Sequence, residues 1–105
     1  MLPPPGFDWD PSMSARCEAE YGFSFSDLVN VFEDAEIDYL RLGPFDLHGE
    51  QRYLAIGRME WGTIVAVVYT MRAGVRRLIW VRPARRSERA ELLAYNAGIH
   101  GEDER

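Results

Sequence analysis

The sequence has no lysine, one cysteine, two histidines and no long hydrophobic run. A single cysteine excludes an intramolecular disulfide and a metal site built from several thiolates. Neither histidine lies at helical spacing from another metal-ligating residue, so we expect no metal site. The sequence has no glycine-rich phosphate loop, so we expect no cofactor. No apolar stretch approaches the ~18–20 residues that span a membrane, so a cytoplasmic location is the default expectation.

Arginine is abundant, and its distribution is uneven. All twelve cationic residues are arginine, against seventeen carboxylates, which gives a net charge of −5. Residues 1–50 hold two arginines and eleven carboxylates, a balance of −9, whereas residues 51–95 hold nine arginines and three carboxylates, a balance of +6. Such asymmetry indicates binding to nucleic acid or to another charged partner. The alternative is that an acidic surface only neutralises a basic one.

The 105 residues have the length of a single domain. We expect its core to cover residues 7–95, with flexible ends at residues 1–6 and 96–105. Phe7–Asp10 alternates apolar and acidic residues, as a short strand or an anchored arm would.

Two helices are predicted in the first third of the chain. Asp10-Pro11 and Gly22 are start and stop signals for a short helix over Ser12–Glu20. Ser24 and Asp27 resemble a capping box at the start of a second helix. The apolar residues of this second helix have the spacing of one buried face, and they are Phe25, Leu28, Val29 and Phe32.

Beyond the second helix the apolar pattern becomes that of strands. The candidate strands are Ile37–Leu42, Arg52–Met59, Gly62–Thr70 and Val75–Arg82. Gly43-Pro44 should end the first of them, and Met71–Gly74 should form a hairpin loop. The third is apolar and β-branched on both faces, which is typical of a covered central strand.

A last helix is predicted over Arg85–Tyr95, with a stop at Asn96–Gly98. The whole pattern therefore predicts an α+β fold in which two helices, an antiparallel meander and a C-terminal helix pack in two layers.

Candidate catalytic residues begin between the first two predicted strands. His48 is the best candidate for an acid or base that titrates near neutral pH. Glu50 and Arg52 share a face if the segment is extended, and Glu50 is a second candidate base. The alternative is a solvated loop with an ion pair.

The last predicted strand carries arginines, and buried cations need a partner or a substrate anion. Arg77 and Arg82 are five residues apart, so a regular strand places them on opposite faces. A bulge, or a strand that ends before Arg82, would be needed for both to share a site. Candidate RNA-binding residues in the same region are Tyr69, Trp80, Arg85, Arg86 and Arg89. The alternative is an edge strand protected by charge.

The order of several short motifs resembles the BrnT family of toxins from type II toxin–antitoxin systems. The resemblance covers about residues 7–95 and rests on Phe7–Pro11, Gly22–Phe25, Val31–Asp34, Gly49–Arg52 with Ile56-Gly57, Val67–Thr70, Arg77–Ala84 and Glu88-Arg89. One departure is that the Lys-His pair usual in this family is Glu20-Tyr21 here.

The resemblance implies a bacterial, RelE-like ribonuclease fold and an RNA-cleaving toxin. It also implies a ribbon-helix-helix antitoxin of the BrnA type, a complex that represses its own operon, and DNA contact only through the antitoxin. If the protein is a metal-independent endoribonuclease, as the resemblance implies, the residues expected to carry catalysis are His48, Glu50, Arg52, Arg77 and Arg82. Loss of the Lys-His pair would attenuate the enzyme. The alternative is a non-catalytic module that binds an antitoxin-type partner.

Overall fold

A computed structural model describes residues 3–33 and 39–101 of the chain, the last three by their backbone alone. The elements in chain order are β1 (Phe7–Trp9), α1 (Pro11–Tyr21), α2 (Phe25–Glu33), β2 (Leu40–Leu47), β3 (Glu50–Arg58), β4 (Ile64–Arg72), β5 (Val75–Pro83) and α3 (Arg86–Gly101). This is the α+β fold that the sequence predicts. None of the helices described is long and apolar enough to cross a membrane.

The two N-terminal helices begin at the predicted capping residues. The Asp10 carboxylate accepts a hydrogen bond from the Ser12 backbone N–H at 2.9 Å, and Gly22 ends α1 with a φ of 83°. At the start of α2, the Asp27 carboxylate accepts from the Ser24 N–H at 2.9 Å, as in a capping box. Phe32 is only partly buried, whereas Phe25, Leu28 and Val29 belong to the buried core.

The sheet has the strand order β1-β5-β4-β3-β2, so β4 is its central strand, as predicted. The last four strands are antiparallel, and β1 adds to β5 in parallel. One face, which we call the α1/α2 face, packs its apolar side chains against those two helices. On the opposite face, the α3 face, Leu92 of α3 packs with Ile56 and Ala66. The helices therefore lie on both sides of the sheet, which makes three layers, so the predicted packing in two layers is wrong.

Three predicted breaks between or after elements are wrong. Strand β2 continues through Gly43-Pro44 to Leu47, because an irregular register between Leu42 and Phe45 absorbs the break on an edge strand, where proline is tolerated. The β4–β5 loop is reduced to Ala73-Gly74. Helix α3 runs past the predicted stop at Asn96–Gly98, since one glycine costs a helix only ~1 kcal/mol. Residues 37 and 38 of the first predicted strand, and parts of both predicted flexible ends, lie outside the described residues.

A bulge in β5 brings the two predicted site arginines to one face. Leu78 lies opposite Tyr69 and Trp80 lies opposite Val68, so β5 contains one extra residue, Ile79. The bulge reverses the alternation of side chains in the second half of the strand. Arg77 and Arg82 consequently both lie on the α3 face.

Truncation of a core ring tests the packing of α2 on the sheet. Phe25 is fully buried between Trp9 and Trp80, so Phe25→Ala is expected to lower the free energy of unfolding by ~3–5 kcal/mol. Urea denaturation measures the change. Phe45→Ala is the matched control, since that ring is half exposed and its loss should cost ~0.5 kcal/mol or less. Equal losses in the two variants would contradict the assigned core.

Candidate functional site

A row of directly opposed residues crosses all five strands on the α3 face. From β1 to β2 it consists of Asp8, Arg77, Thr70, Arg52 and Phe45, and we call it the arginine row. Adjacent strands are ~4.8 Å apart, which puts the Cα atoms of Arg52 and Arg77 about 10 Å from each other. Their side chains remain 30% and 28% exposed, so the row is open to a ligand.

Carboxylates of the same face hold these arginines in place. The Asp8 carboxylate pairs with Arg77, and Glu50 lies 3.5 Å from the Arg52 guanidinium. Arg72 donates two hydrogen bonds, at 2.9 and 3.2 Å, to one oxygen of Glu50. The hydrogen bond from Arg72 is the main reason why the pKa of Glu50 is lowered. Glu50 is therefore ionised at neutral pH and is a weaker base than an unpaired carboxylate.

The centre of the row is closely packed. Thr70 is buried, and its hydroxyl donates to the Gln51 carbonyl at 2.7 Å. The Nε of Arg52 is buried and has no hydrogen-bond partner among the described residues. An incoming anion would reach the exposed part of the Arg52 guanidinium and not this buried Nε.

Arg82 forms a second, tighter ion pair at the start of α3. Its two terminal nitrogens donate to the two Glu88 oxygens at 2.7 and 2.8 Å. Glu88 is only 8% exposed and also accepts from the backbone N–H of Arg85, the residue before α3, at 2.7 Å. The Arg82 hydrogen bond lowers the pKa of Glu88, and the same bond raises the pKa of Arg82. One carboxylate thus joins β5 to the first turn of α3.

The remaining predicted basic residues and the histidine lie at the surface. Exposed His48 and Gly49 form the two-residue β2–β3 turn, with φ values of 53° and 76°. This turn closes the same end of the sheet as Glu50 and Arg72. The exposed arginines of the α3 start are Arg85, Arg86 and Arg89.

The two aromatic residues predicted to stack on RNA bases, Tyr69 and Trp80, differ in how far they are buried. Tyr69 is 1% exposed and packs in the core against Phe32 and Tyr53, with ring centroids at 5.3 and 5.4 Å. It neighbours Thr70 in sequence and therefore faces the opposite side of the sheet, so the prediction that it stacks on RNA is wrong. Trp80 is partly exposed, and the Arg16 guanidinium carbon lies 5.6 Å from its ring centroid.

Sequence reasoning missed three residues that pair with charged side chains of the site. Asp8, Arg72 and Glu88 enter the site through strand register and helix capping, and only Glu88, three residues after the cap position, left a recognisable signal.

Arg76 has a structural role. It lies among aromatic rings, 4.2 Å from the Phe32 centroid, and donates to the Tyr39 hydroxyl at 3.1 Å.

An open sheet face with ordered arginines has the charge and the hydrogen-bond donors that recognition of phosphate groups requires. The sequence pattern of one family, described as the ribonuclease toxin BrnT of a type II toxin–antitoxin system, matches residues 9–88. The chain belongs to this family, as its motifs predicted. It is accordingly a toxin of a type II system that includes an antitoxin, and its family is one of ribonuclease toxins. No curated protein matches the sequence.

Proposed function

We propose that the protein cleaves RNA at the arginine row without a metal ion. The observation that carries the proposal is the bulge at Ile79, which puts Arg77 and Arg82 on one face of the sheet. Their Cα atoms are about 13 Å apart along the strand, so the two arginines would contact different phosphates. Arg52 would assist Arg77, because both flank Thr70 in the row.

The proposed reaction is a transesterification within the RNA chain. The ribose 2′-hydroxyl loses its proton to a base, and its oxygen forms a bond to the adjacent phosphorus. The bond from phosphorus to the 5′-oxygen breaks, and the leaving oxygen takes up a proton. The products are a 2′,3′-cyclic phosphate and a 5′-hydroxyl. Arg77 and Arg52 would stabilise the negative charge that develops on the phosphoryl oxygens.

His48 is the better candidate for proton transfer. The carboxylate of Glu50 is occupied by Arg72 and Arg52, and its lowered pKa makes it a poor proton acceptor. Imidazole, in contrast, changes charge between pH 5 and 8 and can act as acid or base. His48 is also exposed, so a substrate can reach it.

The exposed arginines at the start of α3 extend the same basic surface. Arg85, Arg86 and Arg89 would contact the RNA backbone, whereas Trp80 packs against Phe25 and Tyr21 on the opposite, α1/α2 face of the sheet. The antitoxin, which we propose to be of the ribbon-helix-helix BrnA type, would cover these arginines with an acidic or amphipathic segment. Both interactions should weaken as salt is raised.

The decisive experiment is incubation of the purified, antitoxin-free protein with labelled single-stranded RNA in EDTA. We expect fragments with cyclic phosphate and 5′-hydroxyl ends. Cleavage that requires added Mg²⁺, or fragments with 5′-phosphates, would contradict the proposed chemistry.

The contribution of His48 is tested by its pH dependence. We expect His48→Ala to lower the cleavage rate by ~10²–10⁴-fold and to flatten the pH–rate profile between pH 5 and 8. The measurement is the initial rate across that range. Glu50→Gln is the comparison, and a profile that flattens in this variant but not in His48→Ala would assign the base to Glu50.

A non-catalytic module that binds an antitoxin is the second candidate. It is favoured by the pairing of Arg77 and Arg82 with internal carboxylates and by Glu20-Tyr21 in place of Lys-His. Burial and then the Glu20 charge raise the pKa of Tyr21, so its phenol stays protonated at neutral pH. Restoring Lys-His at positions 20 and 21 should raise the cleavage rate. No cleavage by the wild type or by this double variant would favour the binding module.

A further inference from the structure

A second surface of the molecule, at the junction of α1 and α2, is aromatic rather than basic. Trp61, in the β3–β4 turn, is 55% exposed and lies against Phe23 with ring centroids 5.9 Å apart. Phe23 stacks on Tyr21 at 5.9 Å, and Tyr21 contacts Trp80 at 6.3 Å. We call these four residues the aromatic patch. Tryptophan and tyrosine in such clusters dominate the energetics of protein interfaces.

Carboxylates surround the patch. Glu18 and Glu20 are exposed in the last turn of α1, and exposed Glu60 precedes Trp61 and accepts a hydrogen bond from Asn30 at 2.9 Å. The nearby cations are Arg16, over Trp80, and Arg82, which Glu88 neutralises. The rim of the patch is therefore acidic.

The acidic residues of α1 are not explained by helix stability. The C-terminal end of a helix carries partial negative charge and disfavours carboxylates by ~0.3–1 kcal/mol each. Glu18 and Glu20 lie at this end, and the last turn of α1 contains no basic residue. Trp61 is the exposed ring of the patch, Tyr21 and Trp80 are partly buried, and Phe23 belongs to the core. Carboxylates that cost folding energy beside an exposed tryptophan are expected of a surface that binds a cationic partner.

We propose that the aromatic patch binds a basic amphipathic segment of the antitoxin, separately from the segment that covers the arginine row. Its apolar side chains would pack on Trp61 and Tyr21, and its cations would pair with Glu20 and Glu60. The proposal takes from family membership only that an antitoxin exists, so it stands whether or not RNA is cleaved at the arginine row. RNA is a poor occupant, because phosphates would meet the carboxylates of the rim.

The first test uses Trp61→Ala in the full chain, with the antitoxin of its own toxin–antitoxin system as the probe. Calorimetric titration should show a dissociation constant raised at least tenfold. Met71→Ala is the matched control, since Met71 is 44% exposed at the far end of β4, outside both proposed antitoxin surfaces, and should have no effect. An unchanged dissociation constant for Trp61→Ala would overturn the proposal. Weaker binding of a 20-nucleotide single-stranded RNA, with antitoxin binding intact, would also overturn it.

The second test separates binding from folding. Glu20→Lys replaces an unfavourable charge at the end of α1 with a favourable one, so we expect the melting temperature to rise by about 2–5 °C. The same variant should bind the antitoxin at least fivefold more weakly, and its deficit should shrink in high salt. Tighter or unchanged antitoxin binding by Glu20→Lys would show that the acidic rim does not face a cationic partner.

Discussion

Replacing Arg77 with alanine is expected to lower the rate of RNA cleavage about 10²–10³-fold, the effect of losing one preorganised donor to a developing negative charge. Arg77 lies at the open side of the arginine row with 28% of its side chain exposed, and its guanidinium is oriented by Asp8. Arg77→Lys should recover only part of the rate, because an ammonium cannot form a bidentate contact with a phosphate. Single-turnover cleavage of labelled RNA measures both variants.

Loss of folding does not account for this expected effect. Both members of the Arg77–Asp8 pair are partly solvated, and such pairs contribute ~0–1 kcal/mol to stability. Asp8→Asn is the control, since it keeps an acceptor oxygen that can orient Arg77 and removes only the negative charge, and it should leave cleavage within a few-fold of the wild type. If Arg77→Ala, Arg82→Ala and His48→Ala all cleave at the wild-type rate, the site lies elsewhere.

Arg82→Ala is expected to lower the free energy of unfolding by ~2–4 kcal/mol in addition to impairing cleavage. Glu88 is 8% exposed and would be left as a buried charge without its bidentate partner. This expected loss of unfolding free energy is smaller than the ~3–5 kcal/mol typical of breaking a fully buried ion pair, because 29% of the Arg82 side chain remains exposed. Urea denaturation measures the loss. A double variant with Glu88→Gln should recover part of it, and no recovery would show that the pair is not the cause.

The pair also predicts how stability depends on pH. Because Arg82 lowers the pKa of Glu88 below its ordinary value of 4.5, the contribution of the pair is present above pH 4.5 and is lost as the pH falls through the lower, folded-state pKa. The wild type should therefore lose stability below pH 4.5 more steeply than Arg82→Ala does. Parallel curves for the two proteins would contradict this linkage.

Local signals in the sequence predicted much of the fold. Capping residues and helical spacing identified α2, and the apolar run of β4 identified the central strand, since these features depend on neighbours in the chain. The face that α3 covers depends on contacts with Ile56 and Ala66, distant in sequence, and was not predictable.

The candidate site was harder to predict because strand register decides it. The spacing of Arg77 and Arg82 predicted opposite faces for a regular strand, and the extra residue Ile79 makes them share one. Side chains alternate between the two faces along β4. Tyr69 therefore points into the core, although its neighbour Thr70 lies at the centre of the arginine row. Identification of Asp8 as the partner of Arg77 required the parallel pairing of β1 with β5, which no local pattern encodes.

The two site arginines differ in how readily they can exchange partners. A phosphate that approaches Arg77 displaces a half-exposed Asp8 carboxylate, which water can solvate at once. A phosphate that approaches Arg82 must displace Glu88, and Glu88 then gives up both arginine hydrogen bonds while it still caps the first turn of α3. Under the proposed function, a phosphate would therefore engage Arg77 at a lower ligand concentration than Arg82, whose engagement would require Glu88 to move at the start of α3.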